Sequence, residues 1–600
     1  MKNYSFASVE LTNGYLAEKY DLNRKITIDA VYERFAETGR IEAFKFGWTP
    51  DSESLQKPHF FWDSDVAKWM EGAAYILKKT PDAALEAKID EIVADIKKNQ
   101  GEDGYFNIYF TVVAPEKRWS NRDWHELYCA GHLFEAAVAL FDIGKPELFE
   151  CMDKYVDYII KVFVEEKSAA FMTPGHEEIE IALIRMYRAS GNKKYLDLAA
   201  FFINTRGTEI DVKRDFYDQS HIPVREQFDA VGHSVRAMYL YTSMAMLAAE
   251  TGDSELIKAC NALFEDVTER KMYITGGIGS EQMGECFTVP FDLSNDRAYT
   301  ETCAGIGLMF FARAMSEISQ DAKYADVIER VFYNGVMSGL SLDGECFFYE
   351  NPLEINLRDK YENKFGKRRL PITQRPKIFA CSCCPPNINR LFASIGDYIF
   401  SRDGDTLFVN QYTGAVLSDG NTECTIVTDY PNSGKVTIKT KGVSKIAVRI
   451  PAWCDNYTVN KEYTIDRGYA YIDTDGGDIE LYFDMPVVAV FSDSRIYHDV
   501  NKACIMRGPI VYCAEAVDNG EYLHSIRIPV TPENVKTEVC KKCGLTKIEM
   551  SARRTVSEKG ALYSRKAPTF EDITLKLIPY SIFANREECD MKVWFFCEID

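Results

Sequence analysis

The sequence predicts a multidomain α plus β protein, in which an N-terminal (α/α)6 barrel is followed by antiparallel β-sandwich domains. Two observations indicate this class. Up to about residue 403 the chain repeats a short helical-hairpin signature, and beyond it apolar residues alternate with polar ones between turns. A chain of 600 residues suffices for several domains. We therefore predict a barrel domain over residues 1–403, a β-sandwich over 404–502 and a second β-rich sandwich domain over 503–600.

The helical hairpins share a glycine that ends one helix and a polar residue that begins the next. The signature occurs around Gly144, Gly191 and Gly252, and a weaker copy follows further along the chain. Each helix pair needs neighbours to bury its apolar face, so six pairs are expected to close into a ring. The closing pair is assembled from segments 28–35 and 387–399, which lie at the two ends of the region.

The C-terminal third of the chain shows the period-two alternation of half-buried strands. Pairs of Gly, Asn and Asp separate these segments, as in antiparallel sandwiches with tight turns. The predicted strands cover residues 406–412, 435–440, 445–450, 469–473, 479–483 and 505–512.

Composition excludes several classes of protein. The net charge of −21 would repel nucleic acid and anionic lipid surfaces, so we expect neither as a partner. The sequence has no apolar run long enough to span a membrane, and no apolar stretch of a secretory signal follows its first residues. We therefore expect a cytoplasmic protein, whose 17 cysteines are free thiols or metal ligands.

Three of the eight histidines stand where the first helix of a predicted pair begins. They are His125, His176 and His233, and the starts of the inner helices of a barrel lie at one end of the ring. A single histidine at a helix start is more often structural, but its repetition in three successive pairs favours a shared pocket. Structural roles are equally compatible with three neighbouring residues, His132, Glu178 and Glu180.

Adjacent thiols form the most specific cluster. Cys383 and Cys384 precede two prolines at a predicted helix start, and Glu301 and Cys303 stand at another. Three soft thiolates and one carboxylate suit a tetrahedral zinc ion, although buried cysteines also occur as simple small apolar residues. The role of Cys381 stays open.

Two further motifs carry weaker signals. Cys540 and Cys543 have CxxC spacing without a second half nearby, which favours a surface loop. The Gly-rich segment 276–285 lacks the Lys-Ser/Thr ending and the preceding strand of a phosphate loop. Its glycines instead allow the backbone to approach a ligand closely, and Glu285 ends the segment.

Taken together, these residues resemble glycoside hydrolase family 127, the β-L-arabinofuranosidases. The resemblance extends over nearly the whole chain, and the Glu-x-Cys and Cys-Cys-Pro-Pro-Asn combination is its most specific part. The matching stretches are 124–132, 175–178, 276–285, 299–303, 348–353, 381–387, 449–453 and 507–509.

The resemblance implies an (α/α)6 barrel with β-sandwich domains and a zinc ion held by Glu301, Cys303, Cys383 and Cys384. It implies that Cys383 is the nucleophile and Glu285 the general acid/base. The side chains that it assigns to sugar contact are His125, His176, His233 and Tyr349. The implied activity is that of a retaining exo-glycosidase releasing terminal β-L-arabinofuranosyl residues from small glycosides or oligosaccharides.

Alternative functions remain open at the level of sequence. One is a glycosidase of the same clan that acts on a deoxy or branched sugar. Another is a sugar epimerase or unsaturated-uronide hydrolase on this scaffold, which would not need the thiols. The third is a non-catalytic carbohydrate-binding protein with structural zinc, because closed four-ligand sites are usually structural. The sequence also leaves open the linkage, the aglycone and the oligomeric state. A homodimer is one of the oligomeric states compatible with it.

Overall fold

The computed structural model describes residues 2–209, 214–361, 371–474, 476–557 and 562–598. It confirms the predicted fold class, with a helix-rich N-terminal region followed by sheets that are mostly antiparallel. The helices are α1 (Tyr15–Leu22), α2 (Ile28–Glu37), α3 (Trp62–Lys79), α4 (Ala83–Asn99), α5 (Tyr109–Val112), α6 (Glu126–Phe141), α7 (Glu147–Ile160), α8 (Ile179–Ser190), α9 (Lys193–Thr205), α10 (Ser234–Thr251), α11 (Ser254–Asp266), α12 (Thr302–Ile318), α13 (Ala322–Arg330), α14 (Leu357–Tyr361), α15 (Cys384–Ala393) and α16 (Ala516–Asn519).

A closed ring of inner helices forms the barrel. Around this ring, α3 contacts α6, and the contacts continue through α8, α10, α12 and α15 back to α3. The outer helices α4, α7, α9, α11 and α13 each follow an inner helix, and α2 packs against both α3 and α15. The ring therefore closes between the two ends of the helical region, as the sequence predicts.

The hairpin signature works through helix capping. Gly191 and Gly252 end α8 and α10 with φ of 72° and 71°, a left-handed conformation that glycine adopts without a Cβ clash. The side chains of Asn192 and Asp253 then accept backbone N–H bonds at the starts of α9 and α11. These short turns keep consecutive helices antiparallel, so all inner helices begin at the same end of the barrel.

The strands form three sheets, and each sheet contains strands from both the helical region and the C-terminal third of the chain. The strands are β1 (Lys2–Asn3), β2 (Val9–Asn13), β3 (Glu354–Ile355), β4 (Phe400–Asp403), β5 (Thr406–Val409), β6 (Gly414–Asp419), β7 (Thr422–Thr428), β8 (Lys435–Lys441), β9 (Lys445–Arg449), β10 (Tyr457–Val459), β11 (Thr464–Asp466), β12 (Tyr469–Asp473), β13 (Ile479–Phe483), β14 (Val487–Phe491), β15 (Lys502–Arg507), β16 (Ile510–Glu515), β17 (Ile526–Pro529), β18 (Lys536–Val539), β19 (Thr546–Val556), β20 (Thr569–Pro579), β21 (Met591–Lys592) and β22 (Phe595–Glu598).

Two six-stranded sheets have the orders β1-β4-β5-β9-β12-β11 and β10-β13-β8-β7-β6-β2. The third sheet runs β14-β15-β22-β17-β19-β20-β16-β21-β3, with β18 paired to β19. Most pairs are antiparallel, whereas β5–β9 and β17–β22 are parallel. Strands β1, β2 and β3 come from the first 403 residues and complete these sheets, so the helical region and the sheets share strands. The predicted domain limits themselves stay a prediction.

A buried ion-pair network joins the barrel to the first sheet. Arg449 is fully buried and donates to Glu329 and Asp326, each at 2.6 Å. Glu329 also accepts from the indole N–H of Trp453 at 2.9 Å and from the hydroxyl of Tyr430. Buried charges are tolerated only when their partners are complete, so this network fixes the junction. It also explains why segment 449–453 carries a recognisable motif.

None of the described helices is both long and apolar enough to cross a membrane.

Candidate active site

The predicted site residues meet at the end of the barrel where the inner helices begin. His125 precedes α6, His233 caps α10, Glu301 precedes α12 and Cys383 precedes α15. These residues line a cavity of about 460 Å³ together with His176, Glu285, Cys303, Tyr349 and Cys381. Cys384 is fully buried and lies next to Cys303, with 3.3 Å between the sulfurs. Their convergence is observed, whereas the role of each residue stays a prediction.

Glu301, Cys303, Cys383 and Cys384 form a compact cluster, with one ligand atom from each within 4.8 Å of the others. The Cys383 sulfur lies 3.6 Å from Oε1 of Glu301 and 3.8 Å from the Cys384 sulfur. The Cys384 sulfur is 3.8 Å from the same carboxylate oxygen. Ligands of a tetrahedral zinc ion would lie about 3.5–3.8 Å apart, given Zn–S and Zn–O lengths of about 2.3 and 2.0 Å.

The charges of this cluster also fit a cation. Burial, followed by the negative charges of Glu285 and Cys383, raises the pKa of Glu301 well above its ordinary value. The second oxygen of this carboxylate, Oε2, is buried and has no hydrogen-bond partner among the residues that the structure describes. Four acidic groups in one buried volume become stable as anions when a bound cation balances them. The cluster therefore could bind a metal ion, and its donor set suits zinc.

Cys383 is the least buried member of the cluster: it is half-buried, whereas Glu301, Cys303 and Cys384 are buried. Its sulfur lies 3.4 Å from the hydroxyl oxygen of Tyr349, which also approaches the Cys381 sulfur at 3.9 Å. Because Cys383 belongs to this cluster and also borders the cavity, a ligand in the cavity would contact its sulfur directly. Cys381 lines the same cavity beside it.

Glu285 is held by two hydrogen bonds at the end of the Gly-rich segment. Nε2 of His233 lies 2.6 Å from Oε2 of Glu285, and the hydroxyl of Tyr299 donates to Oε1 at 2.7 Å. Burial raises the pKa of Glu285, but these bonds outweigh it and hold the pKa below its ordinary value. Nδ1 of His233 accepts the backbone N–H of Val235 at 3.2 Å, so the neutral ring carries its proton on Nε2, facing Glu285.

His125 and His176 present acceptor nitrogens to the cavity. Burial, followed by the charge of Arg236, lowers the pKa of His125 to about 3 and that of His176 well below its ordinary value. Nδ1 of each ring contacts a backbone carbonyl, that of Asp123 at 2.7 Å and that of Glu177 at 3.0 Å. A neutral ring whose Nδ1 donates to a carbonyl keeps Nε2 as an acceptor, which suits the hydroxyl groups of a sugar.

His132, Glu178 and Glu180 lie outside the cavity lining. His132 is fully buried behind Tyr128, and its Nδ1 is 3.0 Å from a carboxylate oxygen of Glu178. Glu180 faces the buried Arg206 at 3.9 Å. These residues support the segments that carry the histidines.

Several residues that line the cavity are not predicted from the sequence. Arg236 has a recognisable position, because it follows His233 by three residues and so lies one helical turn beyond it. Tyr299 lies in a stretch that the sequence singles out, but nothing there marks its contact with Glu285. The remaining lining residues are not marked individually, although Tyr128 and Gln282 lie in stretches that the sequence singles out, because only folding brings their side chains to the cavity. They are Phe60, Phe61, Ser64, Asp65, Tyr128, Tyr217, Val235, Gln282, Ile372 and Phe379.

Comparisons with known proteins agree with this architecture. Residues 8–397 match the family described as β-L-arabinofuranosidase, GH127 catalytic domain, and residues 487–596 match the glycoside hydrolase family 127 C-terminal domain. The chain is 34% identical over 586 residues to a non-reducing end β-L-arabinofuranosidase of Bifidobacterium longum subsp. longum, with 89% of each chain covered.

Solved structures give the same result. The GH127 β-L-arabinofuranosidase Ara127N of Geobacillus stearothermophilus superposes with a TM-score of 0.90 and 40% identity, covering 98% of this chain and all of the other. A GH127 β-arabinofuranosidase superposes at 0.89 and 33% identity, covering 100% and 98%. The chain therefore belongs to glycoside hydrolase family 127 and is a glycoside hydrolase.

Proposed function

We propose that this chain is a retaining exo-β-L-arabinofuranosidase that releases terminal β-L-arabinofuranosyl residues from small glycosides or oligosaccharides. The names of its relatives support the sugar. The observation that carries the mechanism is the placement of Cys383, whose sulfur belongs to the metal cluster and also borders the cavity that contains Glu285. Cytoplasmic location and a homodimer stay predictions.

Glu301, Cys303, Cys383 and Cys384 would hold the zinc ion. When bound, the ion would keep the sulfur of Cys383 as a thiolate at neutral pH, where a free cysteine with a pKa of about 8.5 is mostly protonated. Retaining glycosidases usually use two carboxylates about 5–5.5 Å apart, and here a thiolate replaces one of them.

In the first step, the sulfur of Cys383 attacks the anomeric carbon of the sugar. The bond from that carbon to the leaving oxygen breaks, and Glu285 donates its proton to this oxygen. The arabinosyl group is then joined to Cys383 through a C–S bond. In the second step, Glu285 takes a proton from water, the water oxygen attacks the same carbon, and the C–S bond breaks. Two inversions give overall retention.

Glu285 must be protonated before the first step, although His233 and Tyr299 lower its pKa in the empty cavity. A sugar that fills the cavity removes water from around the carboxyl group, and this further desolvation raises its pKa. Once the leaving group has taken the proton, the same two hydrogen bonds stabilise the carboxylate that serves as base.

The cavity dimensions support removal of one terminal sugar at a time. A volume of about 460 Å³ is in the range of small-ligand pockets, and the acceptor nitrogens of His125 and His176 would bind the sugar hydroxyls. A pocket of this kind favours attack at a chain end over cleavage within a polymer.

The test is hydrolysis of matched aryl glycosides of β-L-arabinofuranose, α-L-arabinofuranose and β-L-arabinopyranose. We expect turnover of the first alone, with NMR showing the β-anomer of L-arabinose released before mutarotation. Turnover only of another sugar would assign the chain to a different specificity of the clan. Binding of L-arabinose without any turnover would indicate a carbohydrate-binding protein, and release of the α-anomer would contradict retention.

A further inference from the structure

We propose that Arg236 is a positioning residue that fixes the three cavity histidines as one unit. The inference deepens the proposed function, and it rests on that function in taking these histidines as the sugar-binding groups. The guanidinium lines the cavity, although the residue is only 3% exposed. Its contacts reach the segments that carry His125, His176 and His233.

The first two contacts use one nitrogen of the guanidinium. Nη1 donates to the carbonyl oxygen of Gly175, the residue directly before His176. It also lies 3.3 Å from Oδ1 of Asp123. The carbonyl of this same Asp123 receives the Nδ1 proton of His125 at 2.7 Å. Arg236 therefore fixes the side chain of the residue whose main chain orients the His125 ring.

The third contact runs through Tyr217. The guanidinium carbon of Arg236 lies 4.3 Å from the centre of the Tyr217 ring, a favourable cation–π distance. The carbonyl of Tyr217 accepts the backbone N–H of His233 at 3.0 Å, and the two rings meet edge to face at 5.6 Å. His233 caps α10 and Arg236 lies in the first turn of this helix, so both side chains start from the same short segment.

Arg236 has incomplete partners among the described residues, as several other buried arginines do, so the inference depends on where this guanidinium lies. A buried guanidinium normally has complete partners, because burying an incompletely paired charge is costly. Among the described residues, the carboxylate in ion-pair contact with Arg236 is that of Asp123, whose side chain is 58% exposed, and Nε of Arg236 is buried and has no hydrogen-bond partner there. By contrast, the structural Arg449 uses Nε, Nη1 and Nη2 in hydrogen bonds. The fold keeps an incompletely satisfied cation where it joins the three histidine segments.

Gly175 allows the segments that carry His125 and His176 to pack closely against each other. A Cβ at this position would lie 2.3 Å from the carbonyl oxygen of Arg122, so only glycine fits. The His176 segment is thus pressed against the segment that leads to His125, and Arg236 holds both. A lysine could keep the charge, but its single ammonium group cannot stack on Tyr217 and reach both acceptors as a planar guanidinium does.

The kinetic test compares Arg236→Lys, Arg236→Met and Arg236→Ala with the unaltered protein. Histidines that bind the sugar contribute to the ground state and the transition state alike, so loosening them raises KM more than it lowers kcat. We expect KM to rise roughly 10-fold in Arg236→Lys and further in Arg236→Met, with a smaller fall in kcat, because His233 also donates to Glu285. Added guanidinium ion should lower the KM of Arg236→Ala.

Arg188→Met is the matched control. Arg188 lies near the C-terminal end of α8, away from the helix starts that surround the cavity, and pairs with Glu250 and Glu317. It should leave KM unchanged. Unchanged KM in Arg236→Met, or a loss of kcat alone, would overturn the positioning role.

A crystal structure of Arg236→Met tests the same inference without substrate. We expect the rings of His125, His176 and His233 to change position or become disordered, while Glu301 and the three thiols of the cluster stay in place. Histidine rings that keep their positions would overturn the inference even if the chain hydrolyses arabinofuranosides. Displaced rings in a chain that hydrolyses no arabinofuranoside would support the inference and reject the proposed sugar.

Discussion

The two ends of the barrel contain cavities of similar size. The buried charges are paired in one cavity and unbalanced in the other. The cavity at the starts of the inner helices has about 460 Å³, and the one at their other ends has about 510 Å³. In the latter, Glu71 and Glu135 each pair with both Arg185 and Arg390. In the former, Glu301 lies beside three thiols, and one of its oxygens has no hydrogen-bond partner within the described part of the chain.

This difference teaches that volume does not identify the reactive end of the barrel. Paired charges lower the cost of burial and leave little capacity for a ligand, so the second cavity is explained by stability. Unbalanced acidic groups favour a bound cation, and neutral imidazoles offer an acceptor nitrogen to hydroxyl donors. The following predictions change one end at a time.

The largest loss of activity is expected from Cys383→Ser. A serine hydroxyl is a poor nucleophile without an activating base, so kcat should fall on the order of 10⁴-fold or more, even for activated aryl glycosides. Steady-state kinetics measures this. Cys346→Ser, which alters a half-buried thiol outside the cavity lining, serves as control and should remain active. Substantial activity in Cys383→Ser would exclude a nucleophilic role.

Removal of a ligand that does not reach the cavity should separate metal binding from nucleophilic attack. We expect about one zinc per chain in the unaltered protein and loss of this zinc, with lower thermal stability, in Cys384→Ser, because three ligands hold the ion more weakly. Elemental analysis of purified protein decides this. An active preparation free of metal would contradict the proposed site.

Glu285→Gln should give a loss that depends on the leaving group. General acid/base assistance contributes about 10²–10⁴-fold, so alkyl glycosides, whose leaving oxygen needs a proton, should lose most of this range. The first step of an activated aryl glycoside should be affected less, because its leaving group departs without protonation. Equal losses for both kinds of substrate would argue against Glu285 as the acid.

The opposite end should affect stability alone. Glu71 is 1% exposed and accepts from Arg185, Arg390 and Tyr75. Glu71→Gln removes one charge from a buried network and should lower the free energy of unfolding by about 3 kcal/mol, measured by denaturant unfolding. KM and kcat of the folded protein should stay unchanged. A selective rise in KM would show that the second cavity takes part in sugar binding.

Much of the barrel and its reactive end could be predicted because the signals are local. Gly191 and Gly252 mark helix ends through their own backbone conformation, and the repeated placement of His125, His176 and His233 at helix starts predicts their convergence. These features depend on short stretches of sequence and on the symmetry of the ring.

Features that depend on distant pairing could not be predicted. The two-residue strand Lys2–Asn3 exists because it pairs with Arg402 and Ser401, and no local pattern announces it. Arg236 is similar, since its role follows from contacts with Gly175 and Asp123, which are far away in sequence. The balance of charges at the second cavity likewise emerges only when four separate helices meet.

The central claim is that the sulfur of Cys383 carries the sugar between the two steps. Intact-protein mass spectrometry of Glu285→Gln incubated with an activated aryl β-L-arabinofuranoside tests it most directly, because this variant forms the adduct faster than it hydrolyses it. We predict a mass increase of one pentosyl group, mapped to Cys383 by peptide sequencing and missing when Cys383→Ser is added. An adduct on Glu301 or another carboxylate would contradict the account and leave the thiols only the task of binding the metal.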